Sequence, residues 1–263
     1  VNGDDDLTEE QRRSKEAFIA ARGYWRPWTD DLLRLDPDFL DAYGRYAGYP
    51  SANGPLTRRM VELVYVALDC SATHMFGPGA ELHINLALEA GATPRDISDV
   101  LKLATAQGLT GTFAGMGILA EELAAASRSA ERELTAAEAE LRHRYSSIYG
   151  DWPSHCDHML KRNPAFFASM LDMVSVKDDG KGLSATEQTL IRTALAGCFT
   201  ALDREALRAA IRHALVSGVD VAEIEQVLLL TAHLGVHACT IGFPALRKAR
   251  KESSGLDRPV SQG

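Results

Sequence analysis

The chain has 263 residues, of which 46% are hydrophobic and 24% charged, with a formal net charge of −8. This length buries a full core as one large domain or as two ordinary ones, and the composition is that of a soluble globular protein. The acidic balance argues against a nucleic-acid partner or an anionic membrane surface, although a local basic pocket could still hold a carboxylate.

Residues 1–6 (VNGDDD) read as a disordered tail. An amphipathic helix is expected from Leu7 toward Trp25, followed by shorter helices around Asp30–Leu35 and after Pro37. A long apolar segment begins at Thr57, and another spans Gly79 to Ala90, with Gly91 as its C-terminal stop. Thr93 and Pro94 supply an N-cap and a first-turn proline for a helix over Arg95–Gln107. Further on, Ser184 with Glu187 and Asp220 with Glu223 form capping-box patterns. Gly197 reads as a helix stop and Asp203 as the next start. Residues 253–263 read as a second tail. Nowhere is there sustained two-residue alternation bounded by turns, so the expected fold is all-α.

The chain also matches itself without gaps at an offset of 127. Trp25 falls on Trp152, Pro37 on Pro164, Leu68 on Leu195, Gly91 on Gly218, Ile97 on Ile224 and Leu119 on Leu246. This reads as a tandem duplication of one helical unit, 7–130 and 131–252. The copies differ in their polar groups. Glu62, Cys70, His74 and His83 of the first stand against Thr189, Gly197, Ala201 and Ala210 of the second. His237 and Cys239 of the second stand against Thr110 and Thr112. A purely structural role would persist in both copies, so the divergence points to one working site, in the first, and one degenerate copy.

The same offset places a turn between Cys70 and Phe76, which sets Glu62 and His83 on facing walls of a helix pair. A lone histidine among Leu82, Leu86 and Ala87 would read as a core residue. A carboxylate facing it makes a general acid or base, because the carboxylate fixes the tautomer and favours the cation. His74 in the turn is either a solvated loop residue or a substrate contact. Glu62, His74 and His83 could alternatively form a two-histidine, one-carboxylate metal set, though no HxH or HExxH pattern accompanies them. The cysteines Cys70, Cys156, Cys198 and Cys239 are scattered and form no CxxC. With no leader peptide or membrane-length apolar run read, reduced thiols and a cytoplasmic location are expected.

The segment Glu62–Leu101, with its E…H…GATPRDISDVL pattern, resembles the carboxymuconolactone decarboxylase family within the alkylhydroperoxidase D-like superfamily. The THMFGPG…H and HACTIGFPAL stretches are similar to tandem-repeat members. The resemblance implies an all-α homo-oligomer, with trimers expected for duplicated chains. It further implies a carboxy-lyase of aromatic-compound breakdown that acts without a cofactor on a small carboxylated lactone or keto acid. On it, His83 is the proton donor, Glu62 its orienting partner and His74 a substrate contact; His237, Cys239 and Cys70 are candidate substrate-binding residues. The peroxidase branch requires a CxxC. Neither Cys70–Thr73 nor Cys198–Ala201 supplies one, and a dithiol cycle needs the second thiol. A non-catalytic helical scaffold is the remaining alternative.

Overall fold

The computed structural model describes residues 6–128 and 132–256. All regular structure among them is helical, as expected from the sequence. In chain order the helices are α1 (Glu9–Arg22), α2 (Pro27–Leu35), α3 (Pro37–Ala52), α4 (Arg58–Asp69), α5 (Gly77–Glu89), α6 (Pro94–Thr105) and α7 (Thr110–Ala125). There follow α8 (Ala136–Tyr149), α9 (His155–Arg162), α10 (Pro164–Val174), α11 (Ala185–Gly197), α12 (Arg204–Val216), α13 (Val221–Leu230) and α14 (His237–Leu256). Short 3₁₀ turns join α6 to α7 and α13 to α14.

Each helix from α8 to α14 starts within one residue of the position 127 beyond its counterpart among α1 to α7. The local causes recur as well. Thr8 and Thr135 close capping boxes on α1 and α8, and Gly23 and Gly150 end them in the left-handed conformation. Thr57 and Ser184 cap α4 and α11, and Thr93 and Asp220 cap α6 and α13. In the turns before α5 and α12, Met75 (φ 50°) and Leu202 (φ 26°) both take positive φ. Such angles are uncommon for a bulky side chain, and here they occur at equivalent positions.

The chain packs as two compact units that cut across the sequence halves. In the first, residues 6–54 with 232–256, Phe18, Trp28, Leu32, Leu33, Leu40 and Tyr43 form the core, with Tyr24, Trp25, Cys239 and Phe243 packed against it. Arg247 of α14 pairs with Asp31 of α2 at 2.8 Å. Residues 1–5 of the tail expected at 1–6 lie outside the described residues, but Asp6 lies within them and its carboxylate pairs with Arg34 at 2.9 Å. At the other end α14 continues to Leu256, three residues beyond the expected tail start; 257–263 lie outside the described residues.

The second unit, 55–231, is built on α4, in which every residue from Met60 to Asp69 is buried. Its mates are α5, α6, α11 and α13. Arg59 links three of these helices, pairing with Asp96 of α6 at 2.8 Å and with Glu187 of α11. Two contacts in this unit mirror each other at the 127 offset: Leu56 N–H donates to Gln226 Oε1 at 2.8 Å, and Leu183 N–H to Asp99 Oδ2 at 3.4 Å. A second core, with Tyr145, Cys156, Met159, Leu160 and Phe167, lies under α8 to α10.

One sequence reading needs correction. Taken through its 3₁₀ turn, the helical run Val221–Ser253 is long and apolar enough to cross a membrane, with a mean hydropathy of 1.5. A third of its apolar window is buried, and Val227, Leu230, His233 and His237 are among the buried residues along the run.

Candidate active site

A helix apolar on every side is a core helix, and from Met60 to Leu68 α4 is one except for Glu62. Buried at 7% exposure, that carboxyl needs a partner, and α5 supplies it: His83, 2% exposed, places Nδ1 2.8 Å from Glu62 Oε2. The sequence expected the two to face each other across the turn. Tyr65, one turn beyond Glu62 on α4, packs its ring 4.6 Å from the imidazole at 41°. The carboxylate holds Nδ1 and Tyr65 covers one ring face, which together fix the orientation of the imidazole.

The connection 70–76 joins the two helices. Cys70 caps α4, and Phe76 N–H returns to Asp69 O at 2.9 Å. The loop is tied down by Gln107, whose Oε1 accepts from Ala72 N–H (2.8 Å) and Ser71 Oγ (2.9 Å), while its Nε2 donates to Leu195 O at 3.0 Å. At the loop's tip Thr73 Oγ1 lies 2.9 Å from Thr200 Oγ1, the equivalent residue of the second half. His74 is half-buried here, its ring 6.0 Å from Phe76, and burial lowers its pKa below the usual histidine value.

Beside the loop lies a cavity of about 380 Å³ walled by Asp69, Cys70, Phe76, Ala80, Leu101 and Ala104 among others. That volume suits a small ligand. Of the candidate residues Cys70 lines this cavity, and Glu62, His74 and His83 do not. Burial raises the Cys70 thiol, with the Asp69 charge acting the same way, which makes it a poor nucleophile. Asp69 itself went unnoticed in the sequence. Burial pushes its carboxyl up to about 8, and its Oδ2 lies so close to Gly79 that a Cβ there would sit 2.5 Å away. A larger cavity of about 420 Å³ in the first unit, between Arg34, Phe243 and Arg247, contains none of the candidate residues.

His237 and Cys239 belong to the first unit. His237 is buried at the start of α14, its ring 5.7 Å from that of His233. His233 Nδ1 in turn lies 3.3 Å from Arg22 Nη2 and 3.4 Å from Tyr43 Oη. Cys239 is half-buried against the aromatic core, and burial raises its thiol. The second unit thus brings together Glu62 and His83, with Cys70 and His74 in the adjoining loop. Tyr65, Asp69 and Gln107 are the additions that only the packing reveals.

The fold and the site define an all-α protein with an imidazole held by a carboxylate between two consecutive helices. Residues 37–122, the span containing Glu62, His74 and His83, match the sequence pattern of the carboxymuconolactone decarboxylase family. A crystal structure of a protein from Burkholderia xenovorans LB400, provisionally assigned as a gamma-carboxymuconolactone decarboxylase subunit, is similar to this chain at 28% identity with a TM-score of 0.86. The alignment covers 92% of this chain and 98% of that one. No curated protein matches the sequence.

Proposed function

We propose that the protein is a cofactor-free carboxy-lyase acting on a small carboxylated lactone or keto acid, as expected from the sequence. The observation that carries this reading is the buried Glu62–His83 hydrogen bond of 2.8 Å within the span matched by the family. In the reaction, the bond from the substrate carboxylate to its neighbouring carbon breaks and carbon dioxide leaves. The electron pair left behind forms an enolate, which His83 protonates at carbon from Nε2; the imidazole then regains a proton from solvent. Glu62 holds Nδ1 and stabilises the imidazolium. His74 contacts the substrate carboxylate or carbonyl. The cavity beside Asp69 has room for a ligand of this size.

The decisive assay follows carbon dioxide release from gamma-carboxymuconolactone and related lactone and keto acids. His83→Ala is expected to lose at least about 100-fold in kcat, the usual scale for a positioned proton donor, while keeping the helical circular dichroism. A fully active His83→Ala enzyme would refute the assignment. The reading also includes self-association into a homo-oligomer, a trimer by resemblance. In support, α7 is apolar yet has no buried residue, with Ile118 61% exposed. Sedimentation velocity tests it, and a strictly monomeric protein at micromolar concentration would overturn it.

A further inference from the structure

The corner of the fold that holds the cavity beside the 70–76 loop occurs twice, and in the second half side chains fill it. At the 127 offset Cys70 falls on Gly197, Ala80 on Leu207, Leu101 on Leu228 and Ala104 on Thr231. A Cβ at Gly197 would meet Thr231 Cγ2 at 3.5 Å, Leu207 Cδ1 at 3.7 Å and Leu228 Cδ2 at 3.8 Å, so these three side chains close around it in van der Waals contact. In the first half two of the three are alanines, and a volume of about 380 Å³ remains against Cys70 and Asp69.

A helix pair that had only to pack would keep the larger residues, because filling apolar space gains contacts that a void forfeits. Ala80 and Ala104 forgo those contacts in one copy of the same scaffold. The loop wall of the cavity is also held in place. Gln107 ties Ala72 N–H at 2.8 Å to Leu195 O at 3.0 Å through the two ends of its amide, so the space exists before a ligand arrives.

The chemistry of the wall selects the ligand. Met75, Phe76, Ala80, Leu101 and Ala104 make it mainly apolar, and among the described residues that line it there is no lysine, arginine or histidine. Its polar side chains are Asp69, Thr105 and the Cys70 thiol, and Thr105 Oγ1 already donates to Leu101 O at 2.9 Å. Protonated, Asp69 is neutral; ionised, it repels a second carboxylate. In neither state does the wall draw in an anion. A charged ligand would lose its water here without gaining a partner, whereas an uncharged apolar body is favoured by burial. We propose that this cavity is a binding site for a small uncharged apolar molecule of one-ring size, kept in the first half by Ala80 and Ala104. The site goes beyond the lyase reading and does not rest on it, since that substrate carries a carboxylate and neither Glu62 nor His83 lines the cavity.

The test is a ligand-observed saturation-transfer NMR titration of the full chain at pH 7 with phenol and with benzoate, which share a ring and differ in charge. Phenol is expected to bind saturably and at least tenfold more tightly than benzoate. Ala80→Leu, which installs the residue of the second half, is expected to weaken phenol binding at least tenfold, and His83→Ala to leave it unchanged. Should Ala80→Leu fail to fold by circular dichroism, Ala104→Thr, the other second-half residue, is expected to weaken it several-fold. The proposal is overturned if phenol does not bind, if benzoate binds as tightly, if the folded variants of Ala80 and Ala104 bind phenol as wild type does, or if His83→Ala abolishes binding. Tight benzoate binding blocked by Ala80→Leu would give the cavity to the carboxylated substrate of the lyase reading, and loss with His83→Ala would place the ligand at the dyad instead.

Discussion

The pair Glu62–His83 predicts its own energetic signature. Changing His83 to alanine strands the Glu62 carboxyl in the interior of α4 with its 2.8 Å partner gone. Breaking a buried pair by removing one member costs about 3–5 kcal/mol. Changing Glu62 to threonine removes the acceptor from an imidazole that is 2% exposed, which costs about 1–3 kcal/mol plus the space lost. The double change Glu62→Thr with His83→Ala installs the residues that the second half carries at Thr189 and Ala210. Neither stranded group then remains, and only the missing volume counts, about 1–3 kcal/mol. The double variant is therefore expected to be more stable than the sum of the single effects by about 3–5 kcal/mol. Urea unfolding at pH 7, followed by circular dichroism at helix wavelengths, measures all four corners of the cycle. Strictly additive effects would show that the two side chains do not support each other, and the catalytic assignment would lose its structural basis.

Two more outcomes follow from the loop and its cavity. Asp69 keeps its proton to about pH 8 in the folded protein but loses it near pH 4 when unfolded, so the unfolded chain binds fewer protons between these values. Its contribution to stability is therefore greatest below about pH 4 and falls as pH rises toward 8. Asp69→Asn is expected to gain stability relative to wild type across that window, by several kcal/mol with a ceiling of about 5 kcal/mol; a difference that does not change with pH would contradict the raised carboxyl. Gly79→Ala would place its Cβ 2.5 Å from Asp69 Oδ2 and 2.7 Å from the Phe76 ring, whereas Gly77→Ala meets nothing within 4 Å. The first is expected to cost about 1–3 kcal/mol and the second at most a few tenths, and equal shifts in their melting temperatures would refute the packing described here.

Much of the fold was legible because its signals are local. Thr57, Thr93, Ser184 and Asp220 cap the helices their neighbours begin, and Gly197 and Asp203 mark the stop and start that the sequence assigned to them. The dyad was legible because a carboxylate and an imidazole inside apolar helices each need a polar partner, and the turn between α4 and α5 sets them face to face. Asp69 was missed because a helix-end aspartate is usually solvated, and only the close approach of Gly79 and Phe76 removes its water. Gln107 was missed because its partners lie 36 and 88 residues away. Tertiary packing decides each of these, and no spacing in the chain encodes it.

The mirrored amide contacts have an evolutionary consequence. Leu56 is satisfied by Gln226 and Leu183 by Asp99, so each half closes the entrance to the other's central helix. Severing the gene at its midpoint would orphan one amide in either fragment and strip the mate from both central helices. Each segment thus relies on the other for one of these two hydrogen bonds.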